Sequence, residues 1–78
     1  MEKAKALDLI QREYDKASEK FGEFKNAHEG YAVLLEEVDE LWDAVKHKQS
    51  NPQRQTEMEF EAIQIGAMAL RFLVDLIE

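Results

Sequence analysis

Between Glu36 and Glu40 the chain carries four carboxylates in five positions. On a helix, Glu37 and Glu40 share a stripe with Gly30, Val33 and Ala44, because steps of three and four residues return to the same face. The ends of that stripe are small or apolar and its middle is acidic, with Glu36 beside it on the solvent side. A solvated helix face ordinarily mixes Lys with Glu, whereas this one concentrates negative charge among residues that can be buried. Two carboxylates about 5–6 Å apart repel by roughly 3 kcal/mol at an effective dielectric near 20. A divalent cation would relieve that repulsion. A plain acidic surface accounts for the same letters without a ligand, and this stretch alone leaves both readings open.

Three helices are expected to position these groups, over about residues 2–24, 27–48 and 52–77. In the first, Leu7, Ile10, Tyr14, Ala17, Phe21 and Phe24 form one narrow apolar seam on an otherwise charged helix, so it should pack on one side only. Gly22 weakens its end. Asn26, followed three residues later by Glu29, fits a capping box that opens the second helix. The main apolar seam of that helix is Tyr31, Leu34, Val38, Leu41 and Val45, widened by Leu35 and Trp42. Tyr31 and Trp42 are therefore expected in the core. Lys46, His47 and Lys48 suit the negative end of the helix dipole. Ser50-Asn51-Pro52 places a capping residue before a proline, the order of a helix start.

The third helix is different, because from Ala62 onward most of its sides are apolar. Only Glu57, Glu61, Gln64, Met68, Arg71 and Asp75 form a largely polar stripe. A helix buried around most of its circumference needs more cover than 78 residues supply. Gly66, with Ala62, Ala67 and Ala69, would let another helix approach closely, and a subunit interface is the expectation. No strand pattern, repeat or low-complexity segment is present. The fold class is thus all-α, a single domain over residues 1–78 whose three-helix bundle is completed by homo-oligomerisation.

Composition narrows the partners. The formal charge of −7 opposes binding to nucleic acid or anionic membranes. There is no Cys, so neither a disulfide nor a thiolate metal site is available. No run approaches the ~20 apolar residues of a membrane span. The N-terminal stretch alternates Lys with Ala and lacks the apolar core of a signal peptide, which makes a cytoplasmic setting the expectation. No Ser-His-Asp arrangement or Gly-rich phosphate loop is present. His28, Lys46, Lys48 and Arg54 read as structural or surface residues.

Antiparallel second and third helices would bring the acidic stripe and the Glu61/Gln64 pair face to face. Carboxylates from two helices make a hard, oxygen-rich site suited to Mg²⁺ or Mn²⁺, and such ions bind phosphates and activate water. The stretch from His28 to Lys46, with its core Glu36-Glu37-Val38-Asp39-Glu40-Leu41, resembles the EExxE motif of the MazG-like nucleotide pyrophosphohydrolases, members of the all-α NTP pyrophosphatase superfamily. Their second motif, ExxD, falls on the next helix, where this chain has Glu61-Ala62-Ile63-Gln64. The resemblance covers roughly His28 to Asp75.

The resemblance implies a helical homodimer or dimer of dimers, with an acidic cluster lining a nucleotide pocket. It also implies Mg²⁺-dependent hydrolysis of an NTP or dNTP to the monophosphate and pyrophosphate. By position, Glu37 and Glu40 would be the catalytic and metal-binding residues, Glu36 a further carboxylate, and Glu61 with Gln64 the contribution of the third helix. Arg71 shares the polar stripe with Gln64 and Asp75, and two readings stand open for it, a structural pairing with a carboxylate and the binding of a substrate phosphate. Gln64 stands where the family has Asp, which lowers the charge of the cluster by one. The second expectation is therefore a non-catalytic module of the same architecture, acting by oligomerisation or nucleotide binding with a degraded metal site.

Overall fold

In the computed structural model, which describes residues 1–78, three helices follow one another: α1 (Lys3–Phe21), α2 (Ala27–Lys46) and α3 (Arg54–Leu76). There is no strand. Helix α3 lies between the other two, and α1 and α2 make no close backbone contact with each other. α1 runs beside α3 in the same direction: Ile10 meets Gly66, the Gly22 carbonyl meets Arg71 and the Phe24 amide meets Asp75. α2 runs the opposite way, with Gly30 against Phe72 and Leu76 and Val45 against Arg54.

Helix boundaries follow local chemistry. α1 stops at Phe21, short of the expected residue 24, because Gly22 takes a positive φ of 73°, a conformation open to glycine. Phe24 is therefore not part of the helical seam, yet it is buried while Phe21 is exposed. The loop itself delivers Phe24 to the core. Asn26 caps α2 as expected, its side chain accepting from the Glu29 amide at 2.8 Å. The return bond runs from the Lys25 amide to Glu29 Oε1 at 2.9 Å, one residue earlier than in a standard capping box. α2 ends at Lys46 and α3 begins at Arg54, so Pro52 lies in the preceding turn and not in the first helical turn. Asn51 accepts from the Gln53 amide at 2.9 Å there, stabilising the turn in place of the helix.

The core forms where small residues bring helices together. Ala17, Phe24, Ala67 and Met68 make its buried cluster, with Tyr14, Val33 and Leu34 packed against it. Ala67 is completely covered. A Cβ on Gly66 would stand 2.8 Å from Ile10 Cδ1. At Gly66 the small patch on α3 thus admits α1 of the same chain, while Ala62 stays exposed.

A second expectation is inverted. On α2 the fully buried residues are Gly30 and Ala44, the ends of the acidic stripe. Tyr31, Leu35, Val38, Trp42 and Val45, expected in the core, are exposed, Trp42 by 58 %. On α3 the buried positions are Ala67, Met68 and Arg71, two of them on the stripe read as polar. Both helices turn their mixed faces toward the chain's own interior and leave large apolar side chains outside. Only seven of 78 residues are buried, and the accessible surface is 5961 Å². A compact monomer of this mass exposes about 4,900 Å², so the chain carries roughly a thousand Å² in excess. No helix is long and apolar enough to cross a membrane.

Candidate metal centre

The antiparallel α2–α3 pair is held at its ends. Near one end, a Cβ on Gly30 would lie 2.8 Å from Phe72 Cδ2 and 3.1 Å from Leu76 Cδ1, so the backbones approach closely only because Gly has no side chain. At the other, Arg54 Nε and Nη2 donate to the Val45 carbonyl at 3.3 and 3.2 Å, satisfying a carbonyl in the last turn of α2. His47 Nδ1 lies 3.0 Å from Glu57 Oε2 across the same turn. Arg54, read from sequence as surface, is thus a clamp. With the ends fixed, the middle of the pair must face whatever the two stripes carry there.

It carries acid. Each of Glu37, Glu40 and Glu61 offers one carboxylate oxygen, and the three lie within 4.8 Å of one another. Glu37 and Glu61 are partly buried and Glu40 is exposed, which opens the cluster to solvent on one side. Burial raises the Glu61 carboxyl to about 8, reinforced by hydrogen bonding and charge from Glu37 and Glu40. Burial is also the first cause that raises Glu37, opposed by a hydrogen bond from Glu61 and supported by the charges of Glu40 and Glu36.

With all three carboxylates ionised, the buried Glu61 Oε2 has no hydrogen-bond partner. Three ionised carboxylates are acceptors only, and they cannot satisfy one another. A proton on Glu61 supplies one donor, and a hard cation does the same for all three. The donor set, three oxygens from two rigid helices with one open side, fits Mg²⁺ or Mn²⁺.

Beside this cluster a cleft of about 470 Å³ opens between α1 and α2, with α3 as its floor. Glu36, Glu37, Gln64 and Arg71, all singled out from sequence, line it. Glu37 is therefore common to cluster and cleft. Glu36 is exposed at the wall and lies outside the convergent three. At the far end, Arg71 is 3 % exposed. Its guanidinium stacks 4.1 Å from the Phe24 ring centroid, donates to the Gly22 carbonyl at 2.9 Å and meets Met68 Sδ at 3.3 Å. Asp75 accepts from the Phe24 amide at 3.0 Å, so Arg71 and Asp75 together pin the α1–α2 loop onto α3. Sequence reasoning missed this clamp, although an Arg and an Asp four residues apart on a mostly apolar helix marked the place. It also missed that Glu13, Glu23 and Glu29 would line the same cleft.

Compared with protein-family models, with curated proteins and with solved structures, the chain matches none.

Proposed function

We propose that this chain is a MazG-like, divalent-metal-dependent nucleoside triphosphate pyrophosphohydrolase, converting an NTP or dNTP with water to the monophosphate and pyrophosphate. The observation that carries the reading is the convergence of Glu37, Glu40 and Glu61 within 4.8 Å around a buried oxygen without a partner. Glu37, Glu40 and Glu61 would hold Mg²⁺ or Mn²⁺, with Gln64 and Glu36 at the adjoining wall. Bound there, the ion supplies polarisation of phosphoryl oxygens and a more acidic water. Glu37, whose carboxyl is raised above the ordinary range first of all by burial, faces both cluster and cleft and would be the residue to hold a proton at their boundary. The cleft is of nucleotide size, and Arg71 forms part of its far floor.

The working form is a homodimer or a dimer of dimers. The excess of about a thousand Å² over a compact monomer matches one side of a permanent interface, and Tyr31, Val38 and Trp42 supply an apolar surface for it. A second reading, a nucleotide-binding module without catalysis, is favoured by Gln64 in the cleft lining, whose amide oxygen would ligate without charge.

The test is a Mg²⁺-dependent pyrophosphate-release screen across NTPs and dNTPs with wild type, Glu37→Gln and Glu40→Gln. Turnover of at least one triphosphate, falling 100-fold or more in both variants, is expected. Nucleotide binding without turnover in any metal would leave the module reading as the better one.

A further inference from the structure

The outer face of α2 serves neither the acid cluster nor the cleft. Tyr31, Val38, Trp42 and Val45 stand exposed on it, and Leu34, Leu35 and Leu41 complete the stripe. The cleft takes Glu29, Val33, Glu36 and Glu37 from the other side of the same helix. From residue 31 to residue 45 every position of the stripe is apolar and none is charged. An exposed apolar stripe of this length marks a contact surface.

Symmetry, area and charge name what covers it. Measured from Val38, the stripe falls three, four and seven residues to either side, at Leu35 and Leu41, Leu34 and Trp42, and Tyr31 and Val45. It stops at His28 and Lys48, each ten residues away. Such a stripe matches a second copy running the opposite way, because a two-fold axis at Val38 brings each residue to its counterpart. Tyr31 then meets Val45 and Leu34 meets Trp42, so large side chains lie against smaller ones. The accessible surface of 5961 Å² exceeds that of a compact monomer by about a thousand Å², and a standard interface buries about 800 Å² on each partner. Every copy carries a charge of −7, and a charge-free face lets two copies meet without opposing their carboxylates.

We infer that α2 pairs with α2 of a second copy, antiparallel and across a two-fold axis at Val38. The cleft of each copy stays open on the far side of its helix. The inference rests on the homodimer of the reading above and fixes its contact, and it requires no nucleotide.

The chain has no cysteine, so single cysteines report neighbours across the axis. Light scattering on the wild type at micromolar concentration should give at least twice the mass of one chain. On mild oxidation, Val38→Cys should link to itself and convert most of the protein to a covalent dimer. The two copies of residue 31 stand about 21 Å apart in this register, at 1.5 Å per residue, beyond the reach of a disulfide. Tyr31→Cys and Val45→Cys should therefore link only when the two variants are mixed before oxidation. Leu7→Cys and Leu73→Cys, exposed away from the axis, should give no covalent dimer. A monomeric wild type would overturn the inference and leave the stripe for a different protein. So would self-linking of Tyr31→Cys, Leu7→Cys or Leu73→Cys, or no link in either Val38→Cys or the mixture. A dimer linked in this register that releases pyrophosphate from no triphosphate would sink only the catalytic reading. Pyrophosphate release by a dimer linked elsewhere would sink only the Val38 axis.

Discussion

The two faces of α2 differ in a way hydropathy alone would reverse. The face turned to α3 holds Gly30, Val33, Glu37 and Ala44, and the face turned away holds Tyr31, Leu35, Val38 and Trp42. Close approach explains the choice. Phe72 and Leu76 press on Gly30, and Ala44 is 3 % exposed, so the backbones meet where side chains are smallest. Large residues such as Trp42 would hold the same helices apart. Within the chain, packing is decided by size, and the apolar bulk is left at the surface. Glu37 rides inward because it lies between the two small residues, with Glu40 at the open edge of the same stripe.

The largest break in that contrast should come on the outer face. Trp42→Glu and Leu73→Glu alter exposed positions, where a monomer would lose at most about 0.5 kcal/mol. If the outer face is a subunit contact, each should cost several kcal/mol and split the oligomer, because it buries an unpaired charge. Light scattering with thermal denaturation reads both. A monomeric wild type, stable at micromolar concentration, would remove the subunit contact.

The inner face should answer to pH. Burial pushes the Glu61 carboxyl up to about 8 in the folded chain from an ordinary 4.5, so the folded state holds a proton that the unfolded state has released between those values. That stabilisation is full below about 4.5 and is lost as pH rises through 8. The metal-free protein should therefore melt higher at pH 5 than at pH 8.5. Glu61→Gln should flatten the dependence and raise stability at pH 8 by about 1–3 kcal/mol, the scale of one like-charge contact. Mg²⁺ competes with the proton, so its binding to wild type at pH 7 should release protons to the buffer. An unchanged pH profile in Glu61→Gln would place the titration elsewhere.

The smallest effect tests the close approach itself. Gly30→Ala gains up to about 1 kcal/mol of helix propensity and loses about 1–3 kcal/mol to overpacking against Phe72. The net should be a loss of about 1 kcal/mol, read as a lower urea midpoint with an unchanged slope. A stabilised variant would mean that the Phe72 ring gives way freely.

Much of this molecule was legible in the sequence because its helices are long and periodic. The Asn26 cap, a break between the second and third helices (expected after residue 48, found after Lys46) and the meeting of Glu37 and Glu40 with Glu61 all follow from local residue spacing. The inverted core did not follow, since periodicity finds a seam without saying whether anything covers it. Tyr31 and Trp42 lie on the strongest seam of α2 and are nonetheless exposed. Phe24 was misread for another reason: it keeps helical spacing from Phe21, but Gly22 ends the helix between them. The Arg71 clamp depends on a loop carbonyl 49 residues away, and no local pattern encodes such a contact.

That sequence distance also bears on the order of events during folding. α2 and α3 are neighbours in the chain, joined only by residues 47–53, so their pairing closes a short loop. α1 is fixed to α3 by contacts such as Gly22 to Arg71 and Phe24 to Asp75, 49 and 51 residues apart. Loop-closure entropy favours the hairpin first and the docking of α1 afterwards. The acid cluster is then assembled before the cleft has its second wall, and transient release of α1 would open the nucleotide-sized space while leaving the three carboxylates in place.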